Sequence, residues 1–189
     1  SSSDTVFMDA IKKSNNISAL KCLIESGSDI NTKCKGNYTP FYFICTDRNF
    51  SRAKFDLLLE YKCDVNIDND DHVFPVSELI LRKLYDEAFI LLNNHDTRIN
   101  DCESKEEPIV CALSVQNGPL VEKLVELHAN ALNKHFPVVD KYLQSSFYKF
   151  ETLKKMSKYN IALGTPLQTA IRSDRRDVAV YLWQNTTDN

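Results

Sequence analysis

Two short markers recur in register along this chain, and they restrict its fold more than any other property of the sequence. The first is a Pro-centred opening: Thr39-Pro40, Phe74-Pro75, Glu107-Pro108, Phe136-Pro137 and Thr165-Pro166, with Thr5-Val6 at the matching place upstream. Successive openings stand 34, 35, 33, 29 and 29 residues apart. The second is an x-[Ile/Val/Leu]-Asn ending: "GSDIN" at 27–31, "KCDVN" at 62–66, "DTRIN" at 96–100 and "ANALN" at 129–133, with a fainter "KYNIA" at 158–162. A period in this range is the signature of a stack of small supersecondary units.

Between the markers each unit carries apolar pairs at helical spacing. The first set is Ala10-Ile11, Ile44-Cys45, Leu79-Ile80, Ala112-Leu113 and Ala170-Ile171; the second is Cys22-Leu23, Leu57-Leu58, Leu91-Leu92, Leu124-Val125 and Leu182-Trp183. Such pairs describe one face of a helix of two to three turns. Helices that short are not stable alone, so they must bury their stripe against equivalent helices of neighbouring units. The opening Pro suits the first helical turn, where its missing N–H costs nothing, and Thr5, Thr39 and Thr165 before it suit an N-cap. Gly27 and Gly118 fall where a helix must end or turn. The polar stretches after each ending, "TKCKGNY" at 32–38 and "IDNDDHV" at 67–73, have the composition of projecting hairpin-like loops.

With "YTPFYFIC", "GTPLQTAI" and "LKCLIESGSDIN" the chain resembles the ankyrin repeat, whose units open on Thr-Pro-Leu-His-x-Ala and end on Gly-Ala-Asp-Val-Asn. The resemblance implies an all-α ankyrin-repeat solenoid of about six helix–turn–helix units with projecting hairpin-like loops. Those units run over residues 4–33, 34–68, 69–101, 102–133, 134–163 and 164–185, after a linker or tag remnant at 1–3 and before a tail at 186–189. The fifth unit departs most: Lys141 stands in place of a small apolar residue, and Lys154 replaces the second helix's second apolar residue. The family's His is replaced throughout, by Met8, Tyr42, Ser77, Val110, Val139 and Gln168. In the family that His helps tie adjacent loops together. The resemblance also implies a curved stack whose loops and first helices line a concave, protein-binding face.

Composition excludes several alternatives. The formal net charge of −3 argues against a dedicated nucleic-acid binder. No apolar run approaches the ~20 residues needed to span a membrane, and no N-terminal signal segment is visible. The six cysteines (Cys22, Cys34, Cys45, Cys63, Cys102, Cys111) are irregularly spaced and form no C-x-x-C pair, which favours free thiols in an intracellular, cytoplasmic or nuclear protein. Cys22, Cys45 and Cys111 fall on apolar helical faces and are expected in the core, whereas Cys34, Cys63 and Cys102 fall near loops. Four Gly leave no phosphate-binding loop, and His72, His95, His128 and His135 match no metal-ligand spacing. No catalytic constellation remains, so neither enzymatic activity nor a cofactor is expected.

The informative asymmetry lies in the loops. The first carries Lys33 and Lys35, the second Asp68, Asp70 and Asp71, and the third Asp101, Glu103, Glu106 and Glu107 against the single Lys105. An acidic edge would steer and hold a basic segment; ordinary solvated loops are the alternative. By register the first helices present Lys12, Lys13, Thr46, Asp47, Leu81, Arg82, Ser114, Val115, Leu143, Gln144, Arg172 and Ser173. Tyr38 and Tyr42 lie nearby, and Tyr42 either joins the groove or fills the space of the missing His. The cluster Arg172, Arg175 and Arg176, interleaved with Asp174 and Asp177, reads as a solvated turn without aromatic partners.

The expectation is a non-enzymatic protein–protein interaction module, a monomeric array within a larger protein. It would bind a protein or peptide segment with basic and apolar side chains through Tyr38, Tyr42, Asp47, Asp68, Asp70, Asp71, Leu81, Arg82, Glu103, Glu106, Glu107 and Ser114. The apolar character of both ends supports the expectation of a fragment. The runner-up is an internal regulatory or scaffold segment of a multidomain enzyme or channel, or a viral or bacterial host-interaction protein.

Overall fold

A computed structural model describes residues 5–94, 96–100, 106–129, 137–157 and 164–186, and its contacts divide into two compact units, Ser1–Arg98 and Ile99–Asn189. Among the described residues there are twelve α-helices and no strand, so the all-α expectation holds.

In the first unit, inner helices α1 (Val6–Lys13), α3 (Pro40–Thr46) and α5 (Pro75–Leu81) alternate with outer helices α2 (Ile17–Glu25), α4 (Arg52–Glu60) and α6 (Tyr85–Asn94). Each inner helix packs on the outer helix that follows it, and α1, α3 and α5 pack in series. The second unit repeats the scheme with α7 (Pro108–Ser114), α8 (Gly118–Glu126), α9 (Val138–Gln144), α10 (Phe150–Ser157), α11 (Gly164–Arg172) and α12 (Arg176–Thr186); α7, α9 and α11 pack in series and α8 packs on α10. Most of the apolar pairs seen in the sequence lie in the core: Ile11, Cys45, Leu58, Leu79, Ile80, Leu91, Leu113, Leu124 and Leu182 are all buried, whereas Cys22, Ile171 and Trp183 are exposed. Full burial of such a side chain stabilises by roughly 1.5–3 kcal/mol.

The helix starts follow the cap rule only in part. Thr5 Oγ1 accepts the Met8 N–H at 3.2 Å and Thr39 Oγ1 the Tyr42 N–H at 3.1 Å. Asn16, Ser51 and Asn117 cap the outer helices α2, α4 and α8 in the same way. Thr165, expected as a cap, lies inside α11, whose first residue is Gly164, and Pro137 precedes α9 rather than opening it. Gly118 is the first residue of α8, not part of the turn, and a Cβ there would lie 2.9 Å from Cβ and Cγ of Phe147. It is a close-packing glycine.

Six helices end alike. After α2, α4, α5, α7, α8 and α11 the chain enters the left-handed region at Gly27, Lys62, Lys83, Gln116, His128 and Asp174. That residue's N–H and the next bond back to two carbonyls of the last turn, as in Lys62 N to Leu59 O (3.0 Å) and Cys63 N to Leu58 O (3.0 Å). This is the Schellman closure, in which Gly carries no steric penalty. Five of these six positions hold a residue with a Cβ, which raises the native-state energy by roughly 1–2 kcal/mol. Lys62→Gly and Lys83→Gly are therefore expected to stabilise by about 0.5–1 kcal/mol each, after the added flexibility of the unfolded chain is subtracted. Chemical denaturation reads this directly, and a loss of stability in both variants would contradict the closure.

Polar side chains staple consecutive repeats. Asn31 Oδ1 accepts the Asp64 N–H (2.8 Å), and Asn66 both donates to Asp96 O (2.7 Å) and accepts from Arg98 N (2.7 Å). Asn100 donates to His128 O at 3.1 Å in the second unit. The Asn of the recurrent ending is thus a side-chain substitute for a backbone ladder. Lys54, buried in α4, donates to Ile11 O at 2.7 Å, and Arg82 donates to Cys45 O at 2.7 Å. Both cations sit on C-terminal carbonyls of inner helices, where the helix dipole favours positive charge.

Cys22, Cys63 and Leu143 are among the residues that depart from their expected environments. Cys22 is exposed, although its counterparts Leu57, Leu91 and Leu124 are core. Cys63 is buried, and burial pushes its thiol up to about 12. Leu143 is buried rather than presented on a surface.

Candidate protein-binding surface

Two projecting turns of the first unit carry most of the candidate residues. In the first turn Cys34 N–H donates to Tyr38 O at 2.9 Å, and the tip reverses through Gly36 (φ 81) and Asn37 (φ 58). A Cβ at Gly36 would stand 3.0 Å from the Tyr38 ring, so both the backbone and the packing favour glycine there. In the second turn Asn69 N–H donates to Val73 O at 3.3 Å, and Asn69 Oδ1 accepts from Asp71 N (3.0 Å) and Val73 N (2.9 Å). An amide that accepts from residues two and four ahead mimics a backbone turn. Both are hairpin-like turns, the second closed by several bonds to Asn69.

The two tips meet: Asp70 N–H donates to Gly36 O at 3.2 Å. Beneath them the Tyr38 ring stands edge-on to the Tyr42 ring, with centroids 5.0 Å apart. Tyr42 Oη then donates to Glu78 Oε1 in α5 at 3.0 Å. A continuous path runs from the first tip through two aromatic rings to the next inner helix. Tyr42 has no exposed surface. It fills the space of the missing His and supports Tyr38 from below, so it offers nothing to a partner directly.

The tip contact also revises the electrostatics. Lys33 and Lys35, both exposed, precede Gly36 in the turn that meets the one holding exposed Asp70 and Asp71. Asp68 is half-buried with its Oδ2 3.0 Å from His72 Nδ1. The surface at these tips is mixed in charge, with its aspartates outnumbering its lysines, rather than a purely acidic finger.

The remaining residues divide by compact unit. Asp47 is half-buried at the end of α3, where its Oδ1 accepts from Asn49 N at 3.0 Å. Leu81 is half-buried at the end of α5, and Arg82 is occupied by the Cys45 carbonyl. Glu106, Glu107 and Ser114 belong to the second unit. Glu107 is buried at the residue preceding α7, which removes it from the acidic edge; Glu106 is half-buried, and exposed Ser114 turns its hydroxyl back to Cys111 O at 2.8 Å. Glu103 lies outside the described residues. Sequence reasoning missed Glu78, whose signal was its place three residues after Pro75, beside the residue that replaces the preceding unit's His.

Burial pushes the Cys45 thiol well above its usual value and leaves it neutral. Among the described residues no group of three or more His, Cys, Asp or Glu is placed to hold a metal ion. No helix there is long and apolar enough to cross a membrane. Arg175, expected in a solvated turn, instead lies 4.0 Å over the Tyr148 ring; Arg172 and Arg176 are exposed.

No protein-family profile and no curated protein sequence matches the chain. Solved structures do. The human ASB11 ankyrin repeat domain superposes with a TM-score of 0.58 at 18% identity, over 96% of this chain and 83% of that one. EF0377, an ankyrin repeat protein, superposes with a TM-score of 0.66 at 11% identity, over 96% of this chain and 99% of that one.

Proposed function

From a chain with the ankyrin-repeat fold, we propose a protein-binding module that acts by preorganised shape and charge, without turnover. Six repeat units form the array, and the binding surface is the pair of joined turns with the adjoining ends of α3 and α5. The observation that carries this reading is the Asp70–Gly36 bond above the Tyr38–Tyr42–Glu78 path, which holds an exposed polar edge and a half-exposed aromatic ring in one geometry. Preorganisation lowers the entropic cost of binding. Tyr38 and Leu81 supply the apolar contacts, and Asp47, Asp68, Asp70 and Asp71 supply the charge. The partner is a protein segment in which basic side chains alternate with apolar ones.

Panning a random peptide display library on the immobilised protein tests this. Enriched peptides are expected to carry Lys or Arg next to apolar residues, and their affinity should drop about ten-fold in an Asp70→Lys/Asp71→Lys variant, with a weaker salt dependence. Enrichment of acidic peptides, or affinity untouched by the reversal at low and high salt, would refute the surface.

A further inference from the structure

The chain holds one of its own arginines in a frame of aromatic ring and carboxylates. On α4, Arg52 Cζ lies 6.0 Å from the Phe55 ring centroid, and Arg52 Nε donates to Asp56 Oδ1 at 2.7 Å. Its Nη1 donates to Glu87 Oε1 in α6 at 3.2 Å. The ring attracts the cation through its negative face, and the carboxylates accept from the planar fork of donors. Both contacts act on one guanidinium.

The joined turns bring the same two groups together at an exposed place. A single point at Gly36, where a Cβ would stand, lies 3.0 and 3.1 Å from Cδ2 and Cε2 of Tyr38 and 4.0 Å from Asp70 Oδ2. Ring and carboxylate therefore border one small region at the tip, and the glycine keeps that region narrow. Tyr38 is half-exposed there and Asp70 exposed. Each side of the frame is held. The Tyr42 ring braces the Tyr38 ring at 5.0 Å, and the Asp70 backbone is fixed by its N–H on Gly36 O at 3.2 Å. Asp9, Asp56 and Glu60 each meet a Lys or Arg nitrogen of the chain. Among the described residues Asp70 and the neighbouring exposed Asp71 form no such ion pair, although Lys33 and Lys35 stand in the adjoining turn.

We infer that this tip is an arginine seat: one arginine of the partner segment lays its guanidinium on the Tyr38 ring and donates to the Asp70 carboxylate. This rests on the joined turns being the binding surface, and it names the side chain that anchors the partner to them. Arginine is preferred to lysine for a physical reason. A planar, weakly hydrated guanidinium stacks on a ring and donates as a fork, whereas an ammonium is a compact, strongly hydrated point charge.

Three peptides test it on the unmodified protein: acetyl-Arg-Leu-Arg-Leu-Arg-Leu-amide, and the same sequence with lysine or with citrulline, the neutral analogue of arginine, at every arginine. Titrated at low salt and followed by NMR, the arginine peptide should shift the Gly36 and Asp70 amide resonances. It should bind about 2–5-fold more tightly than the lysine peptide, and the citrulline peptide should lose most of that affinity. Tyr38→Leu should bring the arginine and lysine peptides to equal affinity, whereas Tyr38→Phe should keep the difference. Asp70→Asn retains the backbone bond to Gly36 and should weaken both charged peptides. Equal binding of arginine and lysine by the unmodified protein, or an arginine preference that survives Tyr38→Leu, would overturn the seat and leave the joined turns as a binding surface. Binding of neither charged peptide, or shifts confined to residues outside the two turns, would overturn the seat and the surface together.

Discussion

Tyr42→Ala should destabilise the first unit by about 3–5 kcal/mol, the range for deleting a fully buried aromatic side chain. The side chain touches three layers at once. Its ring packs edge-on to Tyr38, its backbone N–H is capped by Thr39, and its hydroxyl reaches Glu78 in the next inner helix. Small residues cannot refill that space, because Lys54 of α4 holds the Ile11 carbonyl of α1 and Arg82 of α5 holds the Cys45 carbonyl of α3. Tyr42→Phe separates packing from hydrogen bonding. It keeps the ring and leaves a half-buried Glu78 without this donor, so about 1–2 kcal/mol should be lost. Urea denaturation of the two variants distinguishes the contributions. A cost below about 1 kcal/mol for alanine would mean that the site collapses freely, and that Tyr38 has no fixed support. At temperatures where both variants remain folded, the phenylalanine variant should keep peptide affinity and the alanine variant should lose it.

What could be read from the sequence follows from how each feature is encoded. The period was legible because Pro, Thr and Asn act locally: a cap or an amide staple works through the residues next to it, as at Thr39 and Asn66. The Schellman closures were hidden because Lys62, Lys83, Gln116, His128 and Asp174 stand where Gly would have announced them. Burial of the candidate site residues depended on the neighbouring repeat, which no single unit reports. Tyr42 and Glu107 therefore looked available, and Cys22 looked like core although it sits in the first repeat. The charge of the second turn was plain in "IDNDDHV", but that the turn with Lys33 and Lys35 stands beside it depends on the Asp70–Gly36 contact. Thr165 and Pro137 carried the cap signal without the cap geometry, since α11 begins one residue earlier than Thr165 and α9 one residue later than Pro137.

Tyr142 should be the most sensitive residue of the divergent fifth repeat, with Tyr142→Ala costing about 3–5 kcal/mol. The turn between α9 and α10, residues 145–149, is longer than those between α7 and α8 or α11 and α12, and this one buried side chain closes it. Its Oη accepts the Lys149 N–H at 3.0 Å and stands 3.4 Å from the Lys149 carbonyl, while Ser145 Oγ donates to the Tyr142 carbonyl at 2.7 Å. Phe147 and Tyr148 then pack on its ring at centroid distances of 6.0 and 5.6 Å. The closed turn fixes Phe147 against Gly118, where there is no room for a Cβ. Two opposing effects therefore meet in Gly118→Ala. Alanine is the better helix former by about 1 kcal/mol, but overpacking against a fixed ring costs about 1–3 kcal/mol. The clash involves Cβ and Cγ of Phe147, close to the backbone, so overpacking should win and the variant should be less stable. Tyr142→Phe opens the turn without emptying the core and lets Phe147 retreat. In that background Gly118→Ala should cost less, giving a coupling above roughly 0.5 kcal/mol in a double-mutant cycle. Additive costs would show that Phe147 is held by something other than Tyr142, and that the long turn of this repeat is not what makes Gly118 necessary.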